Sequence, residues 1–496
     1  MNVLSLLLVS LPVLALTWTY GGMRAPELAR LAPWAMLAGL VGVFVLPQRH
    51  KGESWRDAEV RVLKAVFKDA FFWTALALVV YLLIPLFNVS LCPTCDWQQI
   101  DAGANPFPPY RFLPFCARPA EHADLIWWFA PTLVAALGVR HGLTRSGKRA
   151  FFEAIAWNGA LLSALGFVQL MTGAKSPYWG EVARAVHFFS VFGYPNAAGS
   201  FFAFMTAVSL GVWCQSMARS EQWAMDTTPR RHVFLATHYP FLAFALNACG
   251  AFASLSRAAM SFALVLVVLF LAYVLARVVA SESWQRQTSF RNLVAAYAVL
   301  LALAAAVFVY APPEVGRELR SLNSRAMADR VSGKAQYHTR VATDIMREFP
   351  IYGVGGWGYK HFCLSYMTDK EIKTMQKTGG VNVHNDYLQY LAELGLAGTG
   401  LLVACLVMLI RPWWSTWRQL SAEAFKSARA GMIMPSLPIF VVEPPVFWTL
   451  LAVVVVLVHA FGDCPLRVPA ILVALFTVFP AACGFLPHQK KKKQDA

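Results

Sequence analysis

Long apolar runs alternate with short polar stretches along most of the chain. A membrane-spanning helix needs about 20 predominantly apolar residues, and the runs predict about twelve such spans. They are Asn2–Tyr20, Leu31–Pro47, Ala70–Val89, Leu125–Val139, Phe151–Thr172, Asn196–Met217, Pro240–Ser254, Ala258–Ala276, Leu293–Ala311, Leu396–Ile410, Pro445–Phe461 and Pro469–Leu486. One helix over 240–277 would measure over about 50 Å, too long for a single span, so we expect a tight apex at Ser256–Arg257.

Basic residues cluster in alternate linkers and orient these spans. The formal net charge of +16 is divided among the linkers, which is a topology signal and not a nucleic-acid-binding surface. With both termini in the cytoplasm, the basic linkers all lie inside. These are Arg49–Lys68, Arg140–Arg149, Arg219–Arg231, Arg277–Arg291, Arg411–Arg429 and Lys490–Lys493, whereas Cys92–His122, Gly173–Pro195, Ser254–Arg257 and Pro312–Leu394 face outward.

Composition agrees with an all-α polytopic membrane protein. Hydrophobic residues make up 57% of the 496 positions and charged residues only 14%, whereas soluble domains carry about 25% charged residues. The stretch Pro312–Leu394, here called the polar segment, is the longest polar interval. Lipid cannot satisfy its backbone and charges, so we expect a large helical outward loop that carries the chemistry.

The predicted organisation has four parts. They are N-terminal spans with a cysteine-containing outer loop (1–190), central spans (191–311), the catalytic outer loop (312–395), and C-terminal spans with a basic tail (396–496).

Three cysteines, Cys92, Cys95 and Cys116, share one outward loop. An oxidising compartment favours a disulfide among them. Zinc held with His122 is the alternative, but the spacing gives an incomplete tetrahedral set. Four further cysteines lie in predicted spans, where packing is their expected role: Cys214, Cys249, Cys405 and Cys483.

Two arginines are candidates for chemistry. Arg257, at the outer end of two spans, could simply snorkel at the membrane boundary. However, a positive charge on the outward side runs against the orientation rule, and ionisable groups at such positions commonly mark function. Arg340 lies on a helix predicted over 335–349, where an ion pair with Asp344, four residues on, is the simpler interpretation.

The glycine-rich stretch GVGGWGY (353–359) and His384 complete the candidates. The glycines could present amide groups to a phosphate, but without a nucleotide-binding context an irregular turn is favoured.

Asn385 or Asp386 could cap the helix after His384. A histidine just outside a helix start could also act as a general base, because imidazole titrates near neutral pH. His338 and His361 are its rivals in the polar segment.

Together these residues resemble motifs of the O-antigen ligase family of bacterial inner-membrane glycosyltransferases, which includes O-antigen polymerases. His384-Asn385, nine residues and then Gly395-Leu396-Ala397-Gly398 is similar to the family's H[NSQ]-x9-G-x-x-G/T/Y signature, and Arg340, fifteen residues and then Gly356 resembles the polymerase pattern R-x15-G. Looser similarities are FGYPNAAGSFF (192–202) and SLSRAA around Arg257. The resemblance covers about 192–410, and the Cys92–His122 loop does not match it.

The resemblance implies transfer of a glycan from an undecaprenyl-pyrophosphate carrier to a hydroxyl of lipid A core, or of another saccharide, at the periplasmic face of the inner membrane. His384 would be the base, and Arg257 and Arg340 would stabilise the leaving pyrophosphate. A single displacement would invert the anomeric carbon. Beside the two arginines, the expected substrate-binding residues are Asn196, Asn385 and Gly356. The expected partners are the two substrates and membrane lipids, with no nucleic acid.

Metal and cofactor are both expected to be absent, because the outward loops show no DxD-type carboxylate pair. Two alternatives within the family stay open: a polymerase that joins repeat units, and an enzyme that glycosylates protein. A transporter is the alternative from another class. It would show internal repeats or charges buried in mid-span, and the sequence shows neither.

Overall fold

The computed structural model describes residues 3–90, 110, 112–180, 188–223, 230–280, 337–378, 381–429 and 443–486. In these residues the regular elements are helices, with two isolated β-bridges, which confirms an all-α protein. The helices are α1 (Val3–Trp18), α2 (Ala25–Phe44), α3 (Trp55–Phe67), α4 (Ala70–Leu83), α5 (Pro119–Leu137), α6 (Arg145–Met171), α7 (Pro195–Trp223), α8 (Arg230–Ala253), α9 (Arg257–Ala280), α10 (337–348), α11 (Gly358–Phe362), α12 (Asp369–Thr378), α13 (Asp386–Arg429), α14 (Pro444–His459) and α15 (Pro469–Ala482).

The apolar helices coincide with the predicted spans. Seven are long and apolar enough to cross a membrane, and four shorter apolar helices accompany them. The remaining predicted span, Leu293–Ala311, lies outside the described residues. The predicted apex is confirmed, because α8 ends at Ala253 and α9 begins at Arg257. The chain is therefore a polytopic membrane protein, while the total of twelve spans and their orientation stay predictions.

Helix α7 is the centre of the bundle. Its apolar part, Pro195–Met217, is enclosed by α6, α8, α9 and α14. Small residues allow close approach of neighbouring helices. A Cβ placed on Gly199 would lie 2.5 Å from the Cβ of Ser256, and one on Gly211 would lie 3.1 Å from the Cα of Pro445. The first contact fixes the start of α9 against α7 near the site described below, and the second fixes the start of α14 against α7 farther along that helix.

A break in α13 anchors the polar segment. At Gly395 the backbone leaves the helix with φ +61°, which frees main-chain groups on both sides of it. The glycine-rich turn and the residue stretch just before it pair with these groups: Val354 N donates to Ala392 O at 3.0 Å, and Leu396 N donates to Pro350 O at 2.9 Å. The turn therefore docks on the break through backbone hydrogen bonds, as an irregular turn and not as an open anion cradle.

The polar segment has a small core of its own. Three rings pack edge to face: Phe115, from the loop before α5, lies 5.5 Å from Phe349 and 6.0 Å from Phe362. Buried Val341 and Ile345 on α10 join them. The segment is thus folded against the cysteine-containing loop, although helix α10 and the loop lie far apart in sequence.

The cysteine prediction is resolved only for Cys116. It is a buried free thiol, and its Sγ donates to Pro85 O at 3.1 Å. Cys92 and Cys95 lie outside the described residues, so their pairing stays a prediction. His122, the other ligand considered for zinc, is buried and its two ring nitrogens contact Leu82 O and Gly356 N, both at 2.8 Å.

Candidate active site

Asp463, in the short loop between α14 and α15, is the centre of the site. Its carboxylate is buried and lies 3.4 Å from His384 Nδ1. It accepts hydrogen bonds from the hydroxyl of Tyr194 at 2.9 Å, from the amide of Cys464 at 2.8 Å and from the side-chain amide of Asn196. Burial opposes ionisation of Asp463, but the hydrogen bond and charge of His384, the charge of His459 and the hydrogen bond from Tyr194 hold its pKa below the usual value. A buried, ionised carboxylate therefore stands behind the imidazole.

Local backbone structure fixes the position of His384. The residue has a left-handed φ of +53°, and Asn385 begins α13 as a cap, with its Oδ1 accepting from Leu388 N at 3.2 Å. Buried Asp386 ties this start to the 460–466 loop, since its amide donates to Ala460 O at 2.9 Å and its carboxylate accepts from Leu466 N at 2.6 Å. The His384 side chain is 39% exposed, so it can meet a substrate.

A buried ion pair supports the loop that carries Asp463. Arg467 Nη1 lies 2.6 Å from Glu393 Oε2, and both side chains are buried. Glu393 also accepts from the amide of Trp357 at 3.2 Å and from Gln389 Nε2 at 3.1 Å. The guanidinium of Arg467 stacks 4.4 Å from the Trp357 ring centroid. The pair thus joins α13, the glycine-rich turn and the Asp463 loop into one rigid unit.

Arg340 lies on α10 and is held by carboxylates. Its guanidinium contacts Glu371 at 2.8 Å and Asp344 at 3.2 Å, and its side chain is 45% exposed. The expected i,i+4 ion pair is therefore present. Its neighbour His338 donates to or accepts from the Tyr359 hydroxyl at 2.7 Å. Burial and the charge of His384 lower the pKa of His338 to about 4.

Arg257 begins α9, which packs on α7 beside the site. Ser256, just before it, meets α7 at Gly199, one turn from Asn196. Further along α9, the ring of Phe262 lies 5.6 Å from that of His459, whose Nδ1 is 2.6 Å from Ser200 Oγ. The start of α9 therefore lies near the Asp463 loop, while the distance from Arg257 to His384 stays a prediction.

Gly356 lies in a tightly packed contact between the glycine-rich turn and α5. Its amide donates to His122 Nδ1 at 2.8 Å, and an added Cβ would lie 2.4 Å from Leu125 Cδ1. Its amide group thus donates to another residue of the protein, and its proposed contact with substrate stays a prediction.

Of the residues predicted from sequence, His384 and Asn196 meet at the same carboxylate, and Asn385 positions His384.

Sequence reasoning missed Asp463 and Arg467. Both lie in FGDCPLRVP, a short polar loop between two apolar spans. The signal that could have revealed them is the placement of two charges in so short a loop, on the outward side of the predicted topology.

The fold and site define an integral membrane protein with a histidine–carboxylate site where a folded polar segment meets the end of a helix bundle. Residues 242–403 match the family model described as O-antigen ligase. Over these residues the match confirms the predicted resemblance to the O-antigen ligase family. No protein of curated function matches the chain.

Proposed function

We propose that this protein transfers a glycan from undecaprenyl-pyrophosphate to an acceptor hydroxyl of lipid A core, at the periplasmic face of the inner membrane. The observation that carries the proposal is the half-exposed imidazole of His384 held against the buried carboxylate of Asp463, within a chain that matches the O-antigen ligase family.

The histidine–carboxylate pair suits a general base. An ionised carboxylate only accepts hydrogen bonds, so Asp463 favours the imidazole tautomer with its proton on Nδ1. Nε2 of His384 is then free to take the proton of the acceptor hydroxyl as its oxygen attacks the anomeric carbon. The bond from that carbon to the pyrophosphate oxygen breaks in the same displacement, which inverts the configuration.

The leaving pyrophosphate gains negative charge and requires fixed cations. Arg257 and Arg340 are proposed for this role. Arg340 would exchange Glu371 and Asp344 for the pyrophosphate. Because exposed ion pairs stabilise by only about 0–1 kcal/mol, that exchange costs little. No metal is required by this mechanism.

The test measures transfer and donor binding separately in the purified protein. His384→Ala should abolish transfer and leave donor binding largely intact, because the base acts on the acceptor. Arg257→Ala and Arg340→Ala should weaken both, since the charges meet the pyrophosphate before and during the reaction. His361→Gln, in the same segment but paired with Glu121 at 2.6 Å, is the matched control. Full transfer by the His384→Ala protein would refute the proposal.

The product that accumulates in cells separates ligase from polymerase. Loss of a ligase should leave long carrier-linked polymer with none on lipid A core, whereas loss of a polymerase should leave core capped by a single repeat unit. Glycan missing from protein instead would favour protein glycosylation. Normal surface glycan in a His384→Ala strain with normal protein levels would exclude all three.

A further inference from the structure

Three different metal-ligating groups meet at the candidate base. The ring nitrogen of His384, a carboxylate oxygen of Asp463 and the thiol sulfur of Cys464 all lie within 4.8 Å of one another. His384 comes from the start of α13, and the other two come from the loop after α14. The set mixes imidazole, carboxylate and thiolate donors, which together suit Zn²⁺ and similar divalent ions better than Mg²⁺ or Ca²⁺.

The geometry of one ligand pair already fits a tetrahedral ion. Bond lengths of about 2.0–2.2 Å to nitrogen and oxygen place two tetrahedral ligands about 3.4 Å apart. His384 Nδ1 and Asp463 Oδ1 are separated by 3.4 Å, which is long for a hydrogen bond to a carboxylate. An ion could therefore enter between them without moving either backbone.

The third ligand needs only a small movement. Cys464 is half-buried and its thiol makes a long contact of 3.9 Å with Gln389 Oε1. A side-chain rotation that moves the sulfur by roughly 1 Å would bring it to bonding distance. The exposed side of His384 leaves room for a water molecule as fourth ligand, the arrangement of an open zinc site.

We propose that His384, Asp463 and Cys464 form an inhibitory binding site for Zn²⁺ or a similar divalent transition-metal ion. The ion binds Nδ1 of His384, so the remaining imidazole proton moves to Nε2, and the thiol proton leaves to solvent. With Nε2 protonated, His384 can no longer accept the proton of the acceptor hydroxyl. The inhibition rests on the proposed function, but the metal site itself does not.

Metal binding is tested first, with Co²⁺ added alone to the purified full chain. Co²⁺ bound to a thiolate absorbs in the near ultraviolet, and Zn²⁺ should displace it with loss of that band. Cys464→Ser and His384→Ala should each weaken binding at least about tenfold. Cys363→Ser, which changes a buried cysteine of the polar segment, should leave the band unchanged. Because Cys92 and Cys95 could also bind metal, the comparison is repeated with both changed to Ser. A band that survives Cys464→Ser in both backgrounds, or no band at all, would overturn the site.

Inhibition is the second measurement. Zn²⁺ should slow glycan transfer by the unmodified protein, and EDTA should restore the rate. The Cys464→Ser variant, compared with its own zinc-free rate, should need at least about tenfold more Zn²⁺. Tight binding at these three residues with no inhibition would overturn the inhibitory role and also count against His384 as the base. Absence of transfer in every sample would instead count against the proposed function and leave the metal-binding result intact.

Discussion

Replacing Asp463 by asparagine tests the role of the buried carboxylate directly. The substitution keeps the size of the side chain and removes its charge 3.4 Å from His384 Nδ1. At that separation and an effective dielectric constant of about 20, Coulomb's law gives about 5 kcal/mol between the two full charges. His384 is 39% exposed, so solvent screening reduces this to about 2 kcal/mol. Because the imidazole becomes charged only as it takes the proton, the loss falls on the reaction and not on donor binding.

A loss of about 2 kcal/mol corresponds to a roughly 30-fold lower kcat. The assay is steady-state glycan transfer together with donor binding, and the thermal midpoint of each variant confirms that it is folded. Glu53→Gln, which changes a carboxylate paired with Arg61 outside the site, is the control. A fall in kcat of less than about threefold would refute this role.

Four further outcomes follow from the same contacts. Glu393→Gln should destabilise the protein by about 3–5 kcal/mol in thermal unfolding, because it leaves buried Arg467 unpaired; replacing both by apolar residues should recover most of that loss. Gly395→Ala should lower the unfolding midpoint, because alanine is strained at this positive φ and its Cβ would lie 2.3 Å from the carbonyl oxygen of Ile351, whereas Gly400→Ala, with open space around it, should not. The stability contributed by ionised Asp463, whose pKa is lowered, should persist above about pH 4 and be lost as the pH falls further, so unfolding midpoints of the native and Asp463→Asn proteins should converge in acid. Glycan transfer should survive EDTA; loss of transfer restored by magnesium or manganese would contradict the arginine mechanism.

The sequence alone was sufficient for the helical spans and for the helix start beside His384. A backbone in lipid must form its own hydrogen bonds, and a helix does so within one segment. The predicted spans that lie among the described residues therefore coincide with helices. The apex before Arg257 followed from length alone. His384 was selected by its place before a helix start and by a motif with fixed local spacing, and Asn385 indeed caps that helix.

Contacts between residues far apart in the sequence were decided only by the tertiary structure. Asp463 lies 79 residues from His384 and Arg467 lies 74 residues from Glu393, and no periodicity relates such positions. The glycine-rich turn and Gly395 each looked like local features, but the turn, the residues just before it and Tyr81 satisfy main-chain groups that the break in α13 exposes. Hydrophobic patterning determined which segments form apolar helices because burial in lipid acts on each segment separately. The identity of the partner at each buried charge depended on how the segments pack, because a buried carboxylate is stable only where the folded chain supplies its donors.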